Sequence, residues 1–371
     1  MTSLKKVLSI SFVIYLFALG ILIFLIPDKV FSELENRTLA QKPKFNTENI
    51  QSGKFAKGFE EYVSDQFPFR DQFIAVKTAS EILLQKKDSN GVYIGSDGYL
   101  LQKFETPDLE LLKRNIGYIN KFSRNFNVSL MLVPTATKVL EDKLPLFATP
   151  YDENDYINDA QAYLEDNINL VNVYPALKEA EKEYIFYKTD HHWTTLGAYY
   201  AYQQYCIQSG IAPMDISSFD IVTEAKEFYG SLFSKGNFTF ATPDELSIFY
   251  PKEANAVTVE YIAENKSTNT MYEKSHLEKK DKYSVFLDNN HPAIKISTSI
   301  KNGKKLMVIK DSYANCFIPF LANHYEEIYV MDLRFLNISI SDFANTYGVK
   351  DVLILYNVQN FAKETSLSLL K

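Results

Sequence analysis

Short apolar runs alternate with helical patterns along this chain, and this alternation constrains the fold more than any other feature of the sequence. The strand-like runs are residues 128–133, 170–173, 306–309, 328–331 and 352–355. The helical patterns cover residues 108–125, 155–165 and 197–207, and a further one begins near residue 314. Strands that are apolar on both faces are typical of a parallel sheet with helices packed on both sides. The sequence therefore predicts an α/β domain with three layers and a mainly parallel sheet.

Two regions depart from this alternation. Residues 91–101 contain two short β-rich runs around a Ser-Asp-Gly turn, which predicts a β-hairpin. Between residues 214 and 300, the segments 257–262 and 283–287 are typical of antiparallel strands, and long polar stretches separate them. We interpret residues 214–300 as a β-rich insertion into the sheet domain.

The N-terminal segment is apolar over residues 7–26, with Lys5 and Lys6 before it and no charged side chain within it. A helix of about 20 apolar residues spans the hydrocarbon core of a membrane. The two lysines favour a cytoplasmic N-terminus. We therefore predict an uncleaved signal anchor in a single-pass cell-membrane protein whose remaining residues lie outside the cytoplasm. A cleaved signal peptide is the alternative.

The predicted organisation has three parts. They are the anchor over residues 1–27, a lead-in over residues 28–90, and the sheet domain over residues 91–371. Within the lead-in, residues 28–54 are typical of an extended arm. Residues 55–87 show a helical pattern that is interrupted at residues 67–71.

Composition limits the classes of function. Apolar residues make up 46% of the chain and charged residues 23%, as in a globular protein. The net charge of −7 gives no basic patch for nucleic acid, and no Walker or G-x-G-x-x-G pattern supports a nucleotide cofactor, so we expect no cofactor. The 25 tyrosines and 27 phenylalanines suit stacking on sugar rings, and filling of the core explains them equally well. Cys206 and Cys316 lack metal-like spacing; they allow one disulfide, with two buried thiols as the commoner case.

A carboxylate and two imidazoles lie next to each other at Asp190, His191 and His192, followed by the only tryptophan, Trp193. Residues two apart share a face of an extended segment, so Asp190 and His192 are predicted to lie side by side. That pairing suits a carboxylate that orients an imidazole acting as general base. On the same reasoning, His191 points away from His192. A metal site built on these three side chains is the rival reading, although His276, His291 and His324 lie at no compatible spacing.

The candidate nucleophile is Ser312, which follows the apolar strand 306–309 and precedes a helical pattern. A strand–turn–helix position exposes the hydroxyl at the edge of the sheet and directs free helix-start N–H groups at a developing oxyanion. The alternative is that Ser312 only caps the helix.

Six further positions are candidates for substrate contacts because they adjoin these motifs or follow strands, where α/β sites form. They are His191, Trp193, Tyr313, Asn290, Arg334 and Asn357. Asn290 and Asn357 are also candidate oxyanion donors. Turn formation explains the residues at strand ends nearly as well as substrate binding does.

Two motifs carry a family resemblance. Lys310-Asp-Ser-Tyr313 is similar to the G-D-S block of SGNH/GDSL hydrolases, with Lys310 in place of the glycine, and Asp190-x-His192-Trp193 is similar to their D-x-x-H block. The chain resembles the DHHW family more closely, together with the related alginate O-acetylation proteins. Other matching stretches are E-N-R at Glu35–Arg37, F-P-F-R-D at Phe67–Asp71, G-x-D-G-Y-L at Gly95–Leu100 and V-P at Val133–Pro134.

The resemblance implies an SGNH-hydrolase-like catalytic domain. Within it, Ser312 is the nucleophile, His192 the general base and Asp190 the residue that orients the base. It also implies O-acetylation of an exported or cell-surface polysaccharide through an acetyl-serine, with a membrane-bound O-acyltransferase as the acetyl donor partner. The anchor fits this expectation, because ATP and acetyl-CoA are not available outside the cytoplasm. Two other functions stay open: an acetyl esterase with the same triad, and a non-catalytic glycan-binding or scaffold subunit of a polysaccharide secretion complex.

Overall fold

The computed structural model describes residues 2–32, 37–253 and 255–371 of the chain. The chain divides into two units. The N-terminal unit consists of Met1–Ser89 and Ser234–Phe240, and the sheet unit of Asn90–Phe233 and Ala241–Lys371. Of the E-N-R stretch, Glu35 and Asn36 lie outside the described residues.

A large mixed sheet forms the centre of the sheet unit. The strands of the described chain are β1 (Phe31–Ser32), β2 (Arg37–Thr38), β3 (Asp88–Ser89), β4 (Val92–Ile94), β5 (Leu100–Gln102), β6 (Asn127–Val133), β7 (Asn169–Leu170), β8 (Phe219–Phe228), β9 (Asp244–Pro251), β10 (Val257–Tyr261), β11 (Lys266–Thr268), β12 (Ala293–Thr298), β13 (Lys305–Lys310), β14 (Glu327–Met331) and β15 (Asp351–Asn357). Eight of them form the sheet in the order β11-β10-β12-β14-β13-β15-β6-β7. Strands β14, β13, β15, β6 and β7 run parallel to one another, and β12, β10 and β11 add antiparallel pairs at one end.

Apolar side chains on both faces explain why the central strands are buried. Along β13, Leu306 and Val308 belong to one apolar core, whereas Met307 and Ile309 belong to another. The neighbouring strand β15 alternates in the same way. Because successive side chains of a strand point to opposite faces, the sheet has one apolar core against each face. An α/β domain with a parallel sheet centre is therefore present, as the apolar runs predicted.

Helices separate the parallel strands β6 and β7, β13 and β14, and β14 and β15, as the sequence predicted. The described chain contains 13 α-helices. They are α1 (Thr2–Leu25), α2 (Thr47–Gln51), α3 (Lys54–Asp65), α4 (Arg70–Leu83), α5 (Leu109–Phe122), α6 (Ala136–Val139), α7 (Glu153–Tyr163), α8 (Tyr174–Glu179), α9 (Thr195–Gln208), α10 (Ser231–Gly236), α11 (Ile318–Leu321), α12 (Ile340–Tyr347) and α13 (Val358–Phe361). Side-chain caps fix several starts: Asp108 accepts hydrogen bonds from the first turn of α5, and Thr194 from that of α9.

Most of the predicted elements are present. The predicted strands at 128–133, 306–309, 328–331 and 352–355 are β6, β13, β14 and β15, and the predicted helices are α5, α7 and α9. The hairpin is formed by β4 and β5, with Ile94 opposite Leu100 and a 3-10 turn at Ser96–Gly98. Only part of the 170–173 run is a strand, as β7 ends at Leu170.

The region 214–300 differs from its interpretation as one insertion. Strands β8 and β9 form a separate two-stranded sheet, whereas β10, β11 and β12 belong to the main sheet. The expected strand at 283–287 is wrong, because Lys282–Val285 is a 3-10 helix. Its β-rich composition reflects burial rather than strand geometry, since Tyr283, Val285 and Phe286 all pack into the core.

In the N-terminal unit, α1 contains an apolar stretch, Leu4–Leu25, long enough to cross a membrane, with a mean hydropathy of 2.7. The break predicted at 67–71 separates α3 from α4. The arm over residues 28–54 is less extended than expected, because Thr47–Gln51 is helical and Asn46 caps it. Arg37 binds both carboxylate oxygens of Asp65, at 2.8 and 2.6 Å.

Both cysteines are free and buried. Cys206 lies in α9 and Cys316 in the 3-10 helix that begins at Ser312. Burial raises the pKa of each thiol, Cys206 and Cys316, to about 12. Neither thiol therefore has the thiolate character of a reactive cysteine.

Candidate active site

Ser312 lies at the carboxyl end of β13, where the 3-10 helix Ser312–Cys316 begins. The cap of this helix is Asp311, whose carboxylate accepts a hydrogen bond of 2.9 Å from the Tyr313 N–H. Because Asp311 performs the capping, the hydroxyl of Ser312 is available for another contact. The reading of Ser312 as the helix cap is therefore wrong, and the strand–turn–helix position is confirmed.

Three side chains form a continuous relay at this point. The Ser312 hydroxyl lies 2.8 Å from Nε2 of His192, and Nδ1 of His192 lies 2.5 Å from Oδ1 of Asp190. With a proton on Nδ1, His192 donates to the carboxylate and accepts from the serine hydroxyl. Acyl transfer by a serine hydroxyl, an imidazole base and an orienting carboxylate requires this arrangement.

The carboxylate of Asp190 is buried and held by fixed donors. Its Oδ2 accepts a hydrogen bond of 2.7 Å from the Ser231 N–H, and its Oδ1 accepts one of 2.9 Å from the His192 N–H. Burial alone would raise the pKa of Asp190, but the charges of the imidazoles of His192 and His191 and these hydrogen bonds outweigh burial and hold it well below its usual range. Asp190 therefore stays ionised while it orients the imidazole.

The D-H-H-W segment is a tight turn and not the extended segment that the spacing suggested. A bridge pairs Phe186 with Trp193, and the Tyr187 N–H donates to the His192 carbonyl at 3.3 Å. Asp190 and His192 meet because the carboxylate accepts the backbone N–H two residues on, as in an Asx turn.

The prediction that His191 points away from His192 is wrong, because the turn brings the two ring centroids within 3.9 Å. Nδ1 of His191 lies 2.6 Å from the Ser231 hydroxyl, and the Tyr313 hydroxyl donates to the His191 carbonyl. The imidazole is partly exposed, with 28% of its side-chain surface accessible. His191 is consequently open to a substrate beside the relay.

Tyr283 packs against the base, and sequence reasoning missed it. Its ring stacks on the His192 imidazole with centroids 3.8 Å apart and planes 11° apart. Its hydroxyl donates to the Ser312 carbonyl at 3.1 Å. The ring therefore fixes the plane of the imidazole, and no motif marked it because it comes from the 3-10 helix that the sequence analysis read as a strand.

Trp193 and Tyr313 support the site from behind. Both side chains are fully buried, and the indole N–H of Trp193 donates to the Tyr313 carbonyl at 2.9 Å. Since neither side chain reaches the surface, a direct substrate contact is not available to them. They join the D-H-H-W turn to the nucleophile turn, which is the segment Asp311–Tyr313 that carries Ser312.

Asn357 lies near the site, but its amide is engaged. Its backbone N–H and its side-chain amide donate to Oδ2 of Asp311 at 3.1 and 2.9 Å, and Asn360 adds a third donor at 2.8 Å. Burial raises the pKa of Asp311 despite these bonds. Asn357 therefore anchors the residue before Ser312.

Asn290 and Arg334 belong to a polar cluster at the end of β13. The buried ammonium of Lys310 lies 2.6 Å from Oδ1 of Asn290, 2.8 Å from Oδ1 of Asn315 and 3.6 Å from the Asp332 carboxylate. Arg334 pairs with the same Asp332 at 2.5 Å. Asn290 and Arg334 thus contact the nucleophile turn through Lys310 and Asp332.

A small pocket of about 20 Å³, room for about one water molecule, adjoins the relay at Asp190 and His191. Neutral polar and apolar side chains make up most of its lining. The lining residues are Leu100, Gln102, Thr135, Ala136, Thr137, Asp190, His191, Leu232, Asn357, Gln359 and Asn360. The pocket is lined by amide and hydroxyl groups rather than by lysine or arginine, so its lining suits a single neutral hydroxyl group or a water molecule.

Asp190, His191 and His192 also satisfy the distance requirement for a metal site, since one ligand atom from each lies within 4.8 Å of the others. However, both ring nitrogens of His192 already make short hydrogen bonds, to Asp190 and to Ser312. A metal on His192 would have to break one of them. The geometry favours the relay over the metal reading.

Comparisons with known proteins agree on the fold. The family model described as "DHHW protein" matches residues 123–331, more than half of the chain. A DHHW family protein from Eubacterium siraeum has a TM-score of 0.64 at 26% sequence identity, covering 76% of this chain and 95% of that one. PatB1 from Bacillus cereus, solved with a sulfonyl adduct, has a TM-score of 0.64 at 19% identity, covering 74% and 97%.

The O-acetyltransferase domain of Pseudomonas putida AlgJ matches with a TM-score of 0.44 at 15% identity, covering 76% of this chain and 95% of that one. No curated protein sequence matches the chain.

Proposed function

The chain belongs to the DHHW family, and we propose that it is a membrane-anchored O-acetyltransferase that modifies an exported or cell-surface polysaccharide through Ser312, His192 and Asp190. The observation that carries this proposal is the continuous relay from the Ser312 hydroxyl to the buried Asp190 carboxylate. A hydroxyl with an oriented base serves acyl transfer. The two apolar cores on the faces of the mixed sheet support a three-layer, SGNH-hydrolase-like domain.

In the proposed first half-reaction, Ser312 Oγ attacks the carbonyl carbon of an acetyl donor while its proton passes to Nε2 of His192. Asp190 stabilises the imidazolium that forms. The Ser312 backbone N–H, at the first position of its 3-10 helix, has no partner within that helix and donates to the developing oxyanion. Collapse of the adduct breaks the bond to the leaving oxygen, which takes the proton from His192. Acetyl-Ser312 remains.

In the second half-reaction, a sugar hydroxyl replaces the leaving group. His192 removes the hydroxyl proton, and the sugar oxygen attacks the acetyl carbonyl. The ester bond to Ser312 then breaks, and Ser312 Oγ recovers its proton from His192. The pocket beside His191, with its amide and hydroxyl groups, is the proposed place for one hydroxyl group of the acceptor. If water takes the place of the sugar, the same chemistry is that of an acetyl esterase.

The apolar helix α1 supports the membrane part of the proposal. With the sheet unit outside the cytoplasm, acetyl groups have to arrive through the membrane. We propose a membrane-bound O-acyltransferase as the donor partner.

The test uses the full-length protein in detergent micelles with an aryl acetate ester, in the presence and absence of oligosaccharides. We expect an acetyl group on Ser312 and acetylated oligosaccharide, both detected by mass spectrometry. Ser312→Ala should lower the rate of ester cleavage by more than about 1,000-fold, whereas Ser267→Ala, at an exposed serine of β11, should retain it. Hydrolysis without sugar acetylation would assign an esterase. An unchanged rate in Ser312→Ala would refute the relay.

A sulfonyl fluoride provides an independent measure of the nucleophile. PatB1, which has a similar fold, was solved with a sulfonyl adduct, and sulfonyl fluorides react with activated serines. We expect one adduct on Ser312, found by peptide mapping. Addition of EDTA in the same assays should leave both rates unchanged, whereas the metal reading requires that they fall.

A further inference from the structure

A second buried carboxylate lies behind the relay. Asp244 begins β9, is 2% exposed, and forms no ion pair with a lysine or arginine among the described residues. Its four donors all come from the segment that leads into the D-H-H-W turn. They are the backbone N–H of Lys188 at 2.7 Å, the backbone N–H of Thr189 at 2.8 Å, the Thr189 hydroxyl at 2.5 Å and the Tyr184 hydroxyl.

The Thr189 hydroxyl extends this contact to a second segment. Thr189 donates to Oδ2 of Asp244 and accepts a hydrogen bond of 3.0 Å from the Gly230 N–H. The next residue, Ser231, donates its N–H to Oδ2 of Asp190 at 2.7 Å. Asp244 thus fixes the two segments that hold Asp190. Residues 188–189 precede Asp190 in the chain, and residues 230–231 include the N–H group that donates to its carboxylate.

We propose that Asp244 and Thr189 are positioning residues for the acyl-transfer relay. Through the Thr189 hydroxyl, Asp244 sets the place of the Gly230–Ser231 segment, and this segment in turn sets the orientation of the Asp190 carboxylate towards His192. The proposal rests on the proposed function, because it assigns Asp244 and Thr189 to the reactivity of Ser312. In this role, neither residue touches the substrate.

A purely structural role predicts a different result. Asp244 satisfies buried backbone N–H groups, and such a carboxylate stabilises a fold wherever it occurs. If it did only that, loss of the Thr189 hydroxyl would lower the stability of the protein and leave the turnover of each folded molecule unchanged. If the carboxylate positions Asp190, the turnover number falls in folded protein, while the KM for a small ester stays constant.

The test compares Thr189→Val, which keeps the shape and loses the hydroxyl, with Thr189→Ser, which keeps the hydroxyl. Both are made in the full-length protein, with Thr223→Val on an exposed position of β8 as the matched control. We expect Thr189→Val to lower kcat for an aryl acetate and the rate of Ser312 sulfonylation by about 10- to 100-fold, the range seen when groups behind a reacting residue are lost. KM should change less than about twofold, and Thr189→Ser should recover most of kcat.

Fluorescence of the only tryptophan, Trp193, and thermal unfolding confirm that each variant is folded at the assay temperature. Asp244→Asn, which keeps one acceptor oxygen, is the second variant and should show the same fall in kcat. Wild-type kcat in folded Thr189→Val overturns the proposal, and so does an equal loss in Thr189→Ser and Thr189→Val. A wild-type protein that is not sulfonylated on Ser312 instead refutes the proposed function itself, so the two failures are told apart.

Discussion

At Gly230, the absence of a side chain is what lets the loop approach the orienting carboxylate. A Cβ at this position would lie 2.6 Å from the Asp190 Cα and closer still to its carboxylate. Either the loop or Asp190 would have to move, and displacement of a relay group by about 1 Å costs on the order of 100-fold in rate.

We therefore expect Gly230→Ala to lower the rate of Ser312 sulfonylation by about 100-fold and stability by about 1–3 kcal/mol, the range for overpacking. Gly117→Ala is the matched control, because a Cβ there meets nothing within 4 Å and lies in α5. It should leave the rate unchanged and raise stability by about 0.5–1 kcal/mol. A Gly230→Ala protein with wild-type reactivity would show that the close approach to Asp190 does not matter for the relay.

Site residues that lie within a recognisable local sequence motif were predictable. Site residues that reach the site from distant segments of the chain were not. The spacing of Asp190 and His192 identified the correct pair, although by an extended geometry that the Asx turn replaces. Ser312 was identifiable because a strand of four apolar residues precedes it. Tyr283 and Asp244 lie far from both motifs, and nothing in their local sequence shows that the chain returns there.

At the scale of elements, the length of an apolar run predicted strands well when the strand is buried on both faces. Strands β6, β13, β14 and β15 are of this kind. Strand β8 was missed because most of its residues are exposed or partly exposed, so its sequence lacks such a run. The local sequence therefore shows which strands are buried. It does not show which strands pair with each other.

The end of β13 carries a titratable group whose burial has a measurable consequence. Burial lowers the pKa of Lys310 to about 8, although the nearby Asp332 carboxylate opposes the shift. Below pH 8 the folded and unfolded states both bind this proton, so the cost of burying the charge is constant. Between pH 8 and about 10.4, the usual lysine pKa, the unfolded state binds more protons, so the folded state gains stability as pH rises.

We expect the free energy of unfolding of wild type, relative to that of Lys310→Met, to increase by up to about 3 kcal/mol between pH 7 and pH 10.5. Urea unfolding followed by Trp193 fluorescence measures it in the full-length protein in detergent. Lys121→Met, at an exposed position of α5, controls for loss of a surface charge and should show no such increase. A constant difference between wild type and Lys310→Met across this pH range would mean that Lys310 is not buried as a lowered-pKa amine.

At the scale of the whole molecule, the proposed location of the chemistry depends on α1. Its apolar residues are exposed almost throughout, with 6% of the membrane-length window buried, so the helix lacks a protein core to cover it. Such a surface in water is unfavourable by about 25 cal/mol per Å², and a bilayer removes that cost. This helix was predictable from the sequence, because an uninterrupted apolar run of this length can be recognised without knowing which other segment packs against it.

The anchor hypothesis and the cleaved signal peptide predict different products. We expect the protein to stay in the membrane fraction after alkaline carbonate extraction, with its N-terminal 27 residues present by mass spectrometry and alkaline phosphatase active when fused after Lys371. Replacing Leu16 and Phe17 with arginine should release it from the membrane, since each charge costs about 2.5–3.5 kcal/mol at the centre of an inserted helix. Alanine at the same positions should retain insertion. Soluble protein that begins after residue 27 would establish cleavage. The acetyl group from a membrane-bound partner would then have to reach an enzyme that is not held in the membrane.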